Sequence, residues 1–298
     1  MDIPSLKAFL AVAEKCSFSA AADYLHITQP AVSKRISTLE SKLNTPLFHR
    51  AGRKVLMTTA GSALYPRAQH LLLDMEDIRR SISNLSGEVS GQLNIGTSHH
   101  IGLHRLPPYL RHYSMEYPKV TLNIKFIDSE QAYDDVLHGD LEMGIVTLPP
   151  KEDKRLKTQL LWRDTLCFVV SSDHPLAQEA TVSLQRLTEF PAILPSHTTF
   201  TRKIVDQLFD QNKLALDVSI STNYLETIKM MVSIGLGWSV LPESMIPSSS
   251  GDDEVIKVAV KDTQLYRDLG CVYHPVRTLS NAAQSMLDNL TRPLAKMD

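Results

Sequence analysis

The sequence predicts an α/β chain with an all-α winged helix-turn-helix at its N-terminus and two α/β lobes after it. Three observations carry this. Two short helical patterns joined by a three-residue turn lie before residue 44. A long apolar stripe at helical spacing follows them. From Gly91 onward, strand-like runs alternate with helical ones.

In the first region, Leu6, Phe9, Leu10 and Ala13 recur at helical spacing within residues 4–15. Ser17-Phe18-Ser19 interrupts the pattern, and Ser19 is expected to cap a second helix, Ala20–Leu25. His26-Ile27-Thr28 forms the turn. Thr28 suits an N-cap, and Pro30 opens the next helix where its missing N–H costs little. That helix runs to about Leu43, with Ala31, Val32, Ile36, Leu39 and Leu43 as its stripe, and Asn44 suits a left-handed stop. Residues 46–58 read as a short basic hairpin or wing, closing a domain over 1–58. From Thr59 to about Leu85, the residues Leu64, Ala68, Leu71, Leu72, Met75, Ile78 and Ile82 form a stripe that wants a partner helix. Residues 59–90 are therefore expected to be a dimerising linker ending in a hinge at residues 86–91.

Residues 91–298 read as βαβ organisation with a parallel sheet. The expected elements are Gln92–Gly96, a helix near Leu103–Glu116, Val120–Ile127, a helix Glu130–Leu137 and Met143–Val146. A second set follows: Thr165–Ser171, Ala192–Leu194, helix Arg202–Gln211, Asp217–Ser221, helix Tyr224–Ile234, Trp238–Leu241, a strand near Leu269–Tyr273 and helix Ala282–Leu290. The expected division is lobe I at about 91–162 and 267–298, with lobe II at about 163–266.

The 298 residues are 43% hydrophobic and 21% charged, which is ordinary globular composition. No run of 18 apolar residues occurs, which excludes a membrane-spanning helix. Met1-Asp2-Ile3-Pro4 lacks the basic and apolar regions of a secretory leader, so a cytoplasmic location is expected. Three widely spaced cysteines speak against a disulfide framework or a cysteine zinc site. Cys167 and Cys271 sit in apolar strand patterns and read as buried thiols, and Cys16 is read the same way. The net charge of −2 divides unevenly. Residues 1–60 carry eight lysines and arginines against Asp2, Glu14, Asp23 and Glu40, so the remainder is acidic. A basic module on an acidic body suits a polyanionic partner for the first part alone.

The stretch Phe18-Ser19-Ala20-Ala21-Ala22-x-x-Leu25-x-x-Thr28-Gln29-Pro30-Ala31-Val32-Ser33-Lys34-Arg35-Ile36-x-x-Leu39-Glu40-x-x-Leu43-x-x-Pro46-Leu47-Phe48-x-Arg50 resembles the N-terminal signature of LysR-type transcriptional regulators. Length, linker helix and α/β remainder fit as well, so the resemblance covers the whole chain. It implies a winged helix-turn-helix on double-stranded DNA with an imperfect palindromic operator. It also implies an effector domain like a type 2 periplasmic-binding protein and homodimers paired into homotetramers. A small-molecule effector and RNA polymerase are the further partners it implies, and no membrane. Cys16 and Asn44 stand where that family often has Gly.

A helix in the major groove reads base edges from its N-terminal turns. Gln29, Ser33 and Lys34 are placed to do so, with Ser37 on the same face and Pro30 and Ala31 against thymine methyls. Arg50, Arg53 and Lys54 on the wing are expected at phosphate or the minor groove, and Ser17 and Thr28 at phosphates. In the effector domain, Thr97, Ser98, His99 and His100 lie between a strand and a helix start. Ser129 and Thr147 end strands on the same side, and Thr199, Phe200, Thr201, Arg202 and Gly237 approach from the second lobe. A small carboxylate-like anion is the expected effector, unless Thr97 and Ser98 simply cap the helix. His104 stands at i+4 from His100, yet no carboxylate or cysteine joins them at an evident spacing, so no metal and no cofactor are expected.

An α/β enzyme is the rival reading. It is weakened by the lack of GxGxxG, GxSxG, GxxxxGK[ST] and HExxH motifs. A pure small-molecule binder would leave the basic helix-turn-helix unexplained.

Overall fold

Short polar side chains set where the first helices begin. In the computed structural model, Asp2 caps α1 (Ile3–Lys15), Ser17 caps α2 (Phe18–Tyr24) and Thr28 caps α3 (Gln29–Leu43), each oxygen accepting a first-turn N–H. The second helix thus starts two residues before the sequence predicts: Ser17, not Ser19, is extended and in reach of the Ala20 N–H. Cys16 and Asn44 both end their helices in the left-handed region, at φ 49° and 51°. Cys16 is exposed there, contrary to the buried thiol expected.

The structure describes residues 1–51, 54–151, 153–246 and 255–292. It forms two compact units, Met1–Leu85 and Ser86–Asp298. In the first, β1 (Phe48–Ala51) and β2 (Lys54–Met57) pair antiparallel as the wing, and α4 (Thr59–Asn84) completes the unit. Its core gathers Leu6, Phe9, Val12, Val32, Ile36, Leu39, Leu47 and Phe48. The residues Leu71, Met75, Ile78 and Ile82 of α4 are exposed.

In the second unit, β3 (Gly91–Thr97), α5 (His99–His104), α6 (Pro107–Glu116), β4 (Val120–Phe126), α7 (Ser129–His138) and β5 (Met143–Thr147) come first. The single helix expected near 103–116 is two helices, because Pro107 and Pro108 open a new one. Strand β6 (Lys157–Ser171) starts eight residues before the apolar run that marks it in sequence, since its first half is only half-buried. Then follow α8 (Leu184–Leu187), β7 (Ala192–Leu194), α9 (Phe200–Gln211), β8 (Val218–Ser221), α10 (Leu225–Ser233), β9 (Ser239–Pro242), β10 (Val255–Val258), β11 (Leu265–Tyr273) and α11 (Asn281–Thr291).

The sheet is mixed, not parallel throughout. Its order is β10-β6-β11-β5-β3-β4, with β9 also on β6. Only β3, β4 and β5 run parallel within it, and β7 pairs β8 parallel apart from it. Strand β11 is antiparallel to both β5 and β6. The early part of β6 pairs β11 beside the first-lobe strands, and its late part pairs β9 and β10. Residues 163 and 267 fall within β6 and β11, so both lobes share these strands. Core residues cover both faces of each lobe. Leu93, Ile95 and Met286 lie on one face of lobe I and Ala132, Val136 and Val272 on the other. In lobe II, Phe168 and Val170 face one cluster and Val169 another, the period-two signature of a strand covered on both sides.

Gly61 lies in the first turn of α4, under the wing. A Cβ there would sit 2.3 Å from the Leu47 carbonyl oxygen, whose own position is set by its bond from the Thr58 N–H. Gly61→Ala gains helix propensity of about 1 kcal/mol but overpacks a backbone atom. A net loss of about 1–3 kcal/mol is expected in urea unfolding, and a stabilised variant would contradict it.

Candidate functional site

The free face of α3 is one candidate surface. Val32, Ile36 and Leu39 are fully buried on one side. Gln29, Pro30, Ser33, Lys34 and Ser37 fall within about 140° on the other, from 3.6 residues per turn. Gln29, Pro30, Lys34 and Ser37 are exposed, and Ala31 and Ser33 half-buried. Gln29 Nε2 donates to Ser33 Oγ at 3.1 Å, which holds the amide over the first turn. The Ser17 and Thr28 hydroxyls accept helix N–H groups, and each keeps an O–H able to donate. Glu40 Oε1 accepts from the Leu47 and Phe48 N–H groups at 2.7 and 3.4 Å, tying α3 to the wing. Arg50 and Lys54 lie on β1 and β2, where only their backbone is described, and Arg53 lies outside the described residues.

The second candidate is a cavity of about 350 Å³ between the lobes. Of the predicted residues it brings together Ser98, His99, His100, Ser129, Thr147, Thr199 and Thr201. Four others are not on its wall. Thr97 is buried and donates to the Ile145 carbonyl at 2.8 Å, pinning β3 to β5. Phe200 packs edge-on against Tyr133. Arg202 is paired with Asp206 and donates to the Pro195 carbonyl. Gly237 has φ 156° and leaves no room for a Cβ, which would lie 2.3 Å from the Pro191 carbonyl oxygen. Strand parity explains the first case: successive residues face opposite ways, so Thr97 points into the sheet and Ser98 into the cleft. Ser98 begins α5 without a side-chain cap bond, so the capping role expected as the alternative is absent for it. Thr199 does cap α9.

The cavity also holds Asp128, which precedes Ser129 at the end of the second strand, and four residues that sequence reasoning missed: Glu130, Asn223, Tyr224 and Arg267. Asn223 Nδ2 donates to Asp128 Oδ2 at 2.7 Å, and the Phe200 N–H donates to Glu130 Oε1, so both bonds cross the cleft. His99 stacks on Tyr224, ring centroids 4.8 Å apart, and this contact crosses it too. These partners lie 70–125 residues apart in sequence, and no local pattern marks them.

At the cavity floor Arg267 on β11 pairs with Asp164 on β6. Nε and Nη2 reach Asp164 Oδ2 at 3.2 and 2.9 Å. Arg105 engages the other carboxylate oxygen. Burial alone would raise the Asp164 carboxyl, but Arg267 and Arg105 outweigh it and hold it below the ordinary value. His100 is 4% exposed beside this group. Burial, helped by Arg267, pushes its imidazole down to about 4, so it is neutral at pH 7. Neither of its ring nitrogens has a hydrogen-bond partner among the described residues.

Comparison with known proteins accords with this architecture. Residues 3–62 match the family model described as bacterial regulatory helix-turn-helix protein, lysR family, and residues 86–295 match the LysR substrate binding domain. The chain belongs to the LysR family of transcriptional regulators. The HTH-type transcriptional activator CmpR of Synechocystis is 27% identical over 95% of this chain and 92% of its own length. A full-length OxyR variant from Pseudomonas aeruginosa superposes with a TM-score of 0.70 at 23% identity, covering 97% of this chain and 94% of that one. The effector binding domain of QuiR in complex with shikimate superposes at 0.61 and 19% identity, covering 70% and 98%. The fold is thus that of a helix-turn-helix followed by a two-lobed α/β effector-binding domain. No helix among the described residues is long and apolar enough to cross a membrane.

Two outcomes follow from the cleft. Asp164→Asn leaves Arg267 buried without its counter-charge, and a loss of about 3–5 kcal/mol in urea unfolding is expected; a loss under about 1 kcal/mol would contradict the pairing. Burial raises the Glu130 carboxyl, with its own and the Phe200 N–H groups pulling it partway back. A carboxyl raised in the folded chain adds stability below its unfolded value, and this is lost as pH climbs through the folded one. From about pH 4.3 toward neutrality, the wild type should therefore lose stability relative to Glu130→Gln, which keeps an acceptor for Phe200. Parallel stability profiles for the two would contradict this.

Proposed function

We propose that this regulator responds to a small carboxylate-like effector held in the cavity between its lobes. The carrying observation is Arg267, a buried guanidinium on the cavity wall whose partner Asp164 is shared with Arg105. Shared neutralisation leaves positive potential where an anion would lie. Ser98, Ser129, Thr147 and Thr201 supply hydroxyls around it, and the N-terminus of α7 adds its dipole. Asp128 and Glu130 suit hydroxyl or amino groups on the same molecule. The QuiR effector domain, similar in fold, is described with shikimate, a hydroxylated carboxylate.

In this reading the effector biases lobe closure through the bonds that cross the cleft. The first domain, 1–58, contacts an imperfect palindrome through Gln29, Ser33, Lys34 and Ser37, with Pro30 and Ala31 against methyl groups. Ser17 and Thr28 hold phosphates, and Arg50, Arg53 and Lys54 reach phosphate or the minor groove. The exposed stripe on α4 joins two chains through the 59–90 linker, and such dimers pair into tetramers that engage RNA polymerase in the cytoplasm.

A thermal-shift panel of small carboxylates and their matching amides tests the effector class. Acids should raise the melting temperature and amides should not; equal stabilisation by both would overturn the reading. Ser98→Ala, which loses no cap bond, should weaken an effective acid by about 0.5–1.5 kcal/mol while leaving the free protein's melting unchanged.

On DNA, Gln29→Ala is expected to cost about 1–3 kcal/mol on the operator and little on scrambled duplex. Gel-shift titrations showing equal weakening on both would contradict base reading by this residue.

A further inference from the structure

His100 and His104 lie one turn apart on α5, and their rings are 4.8 Å apart. Glu226, in the first turn of α10, reaches them from the other lobe. Its Oε1 is 3.0 Å from His104 Nε2 and 4.0 Å from His100 Nδ1. One ligand atom from each of the three side chains falls within 4.8 Å of the others. We propose that these three residues form a binding site for a divalent transition-metal ion of the zinc class, which bridges the two lobes.

The donor chemistry selects the ion. Two imidazole nitrogens and one carboxylate oxygen suit a borderline ion such as Zn²⁺, whereas Ca²⁺ and Mg²⁺ take oxygen donors. Tetrahedral zinc holds its ligand atoms about 3.3–3.5 Å apart, from bonds of about 2.0–2.2 Å. The His104–Glu226 contact is already that close, so only His100 must draw in.

The buried histidine supplies the second, independent observation. His100 is nine-tenths buried, and both its nitrogens lack hydrogen-bond partners among the described residues. A buried polar ring without partners carries a cost that a ligand would remove. Its two nitrogens are also placed for the two ends of a carboxylate–histidine–metal arrangement. Nδ1 faces Glu226, while Nε2 faces Asp164 Oδ2 at 3.8 Å, and an orienting carboxylate on the second nitrogen is what metal-bound histidines usually have. His104 and Glu226 are 47% and 42% exposed in their side chains, which leaves solvent access for entry and for a fourth, water ligand.

The charges around the site permit a cation. Arg267 and Arg105 stand nearby with one carboxylate, Asp164, between them, and Glu226 supplies the second carboxylate that balances the two guanidinium groups. The histidines come from lobe I and the glutamate from lobe II, so an ion held by all three would fasten the lobes across the cleft. This inference does not rest on the effector being an anion.

The test uses the full chain, stripped with chelator and titrated with Zn²⁺ by calorimetry and Co²⁺ by absorption. Wild type should take up one tight equivalent per chain. Affinity should fall more than about tenfold in His104→Ala and in Glu226→Gln, and remain unchanged in His70→Ala, an exposed histidine in the other unit. Co²⁺ should give visible d–d bands that both site variants lose. Both substituted side chains are half-exposed, and circular dichroism checks that the variants fold. The proposal is overturned if wild type binds no Zn²⁺, or if His104→Ala and Glu226→Gln bind it as wild type does.

Discussion

The Asp164–Arg267 pair joins β6 to β11 at the place where both strands pass from one lobe to the other. A buried ion pair of this kind is weak evidence for stability, because desolvation offsets much of its attraction. Its structural effect is registry. With Asp164 opposite Arg267 and Arg163 opposite Asp268, the two crossing strands cannot slip without burying an unpaired charge. The position of each lobe's strand ends, and so the shape of the cavity, depends on that register. Arg105 adds a third member from the loop after α5, which anchors the helix carrying His100 and His104 to the same point.

The helix-turn-helix unit rests on a different constraint, the close passage of backbone beneath its wing. Thr58 caps α4 through the Gly61 N–H and donates its hydroxyl to the Pro46 carbonyl, and Glu40 receives the N–H groups that start β1. Together these bonds fix where the wing leaves the end of α3. Phe48 then packs against Phe9 and Phe18, so the wing shares the helices' core.

Local devices are legible in the sequence because their partners are three or four residues away. Thr28, Pro30 and Asn44 mark the ends of α3 through capping and backbone chemistry alone, and the stripe of Val32, Ile36 and Leu39 marks its buried side. Ser17 and Ser19 show the limit: both are good caps, and only the extended backbone after Cys16 selects the first. The cleft is legible on one wall. Ser98 and Ser129 follow strands, and Thr147 ends one, whose ends converge in any parallel βαβ unit. Thr97 is drawn inward by strand parity, a matter of one residue. Asn223, Glu226 and Arg267 carry no such mark, since the first two come from the start of α10 in the other lobe and Arg267 from antiparallel β11. The mixed sheet itself escapes notice because the early half of β6 is half-buried and polar in pattern.

Because β6 and β11 each serve both lobes, neither lobe is a separable segment of chain. Recombination between regulators, natural or engineered, would have to cut two paired strands to trade one lobe, and would part Asp164 from Arg267 unless both came from one parent. Among the described residues, the junction between Leu85 and Ser86 severs no strand pairing. Exchange of whole sensing units at that junction is therefore the route by which a DNA-reading head of this design can acquire a new chemical input.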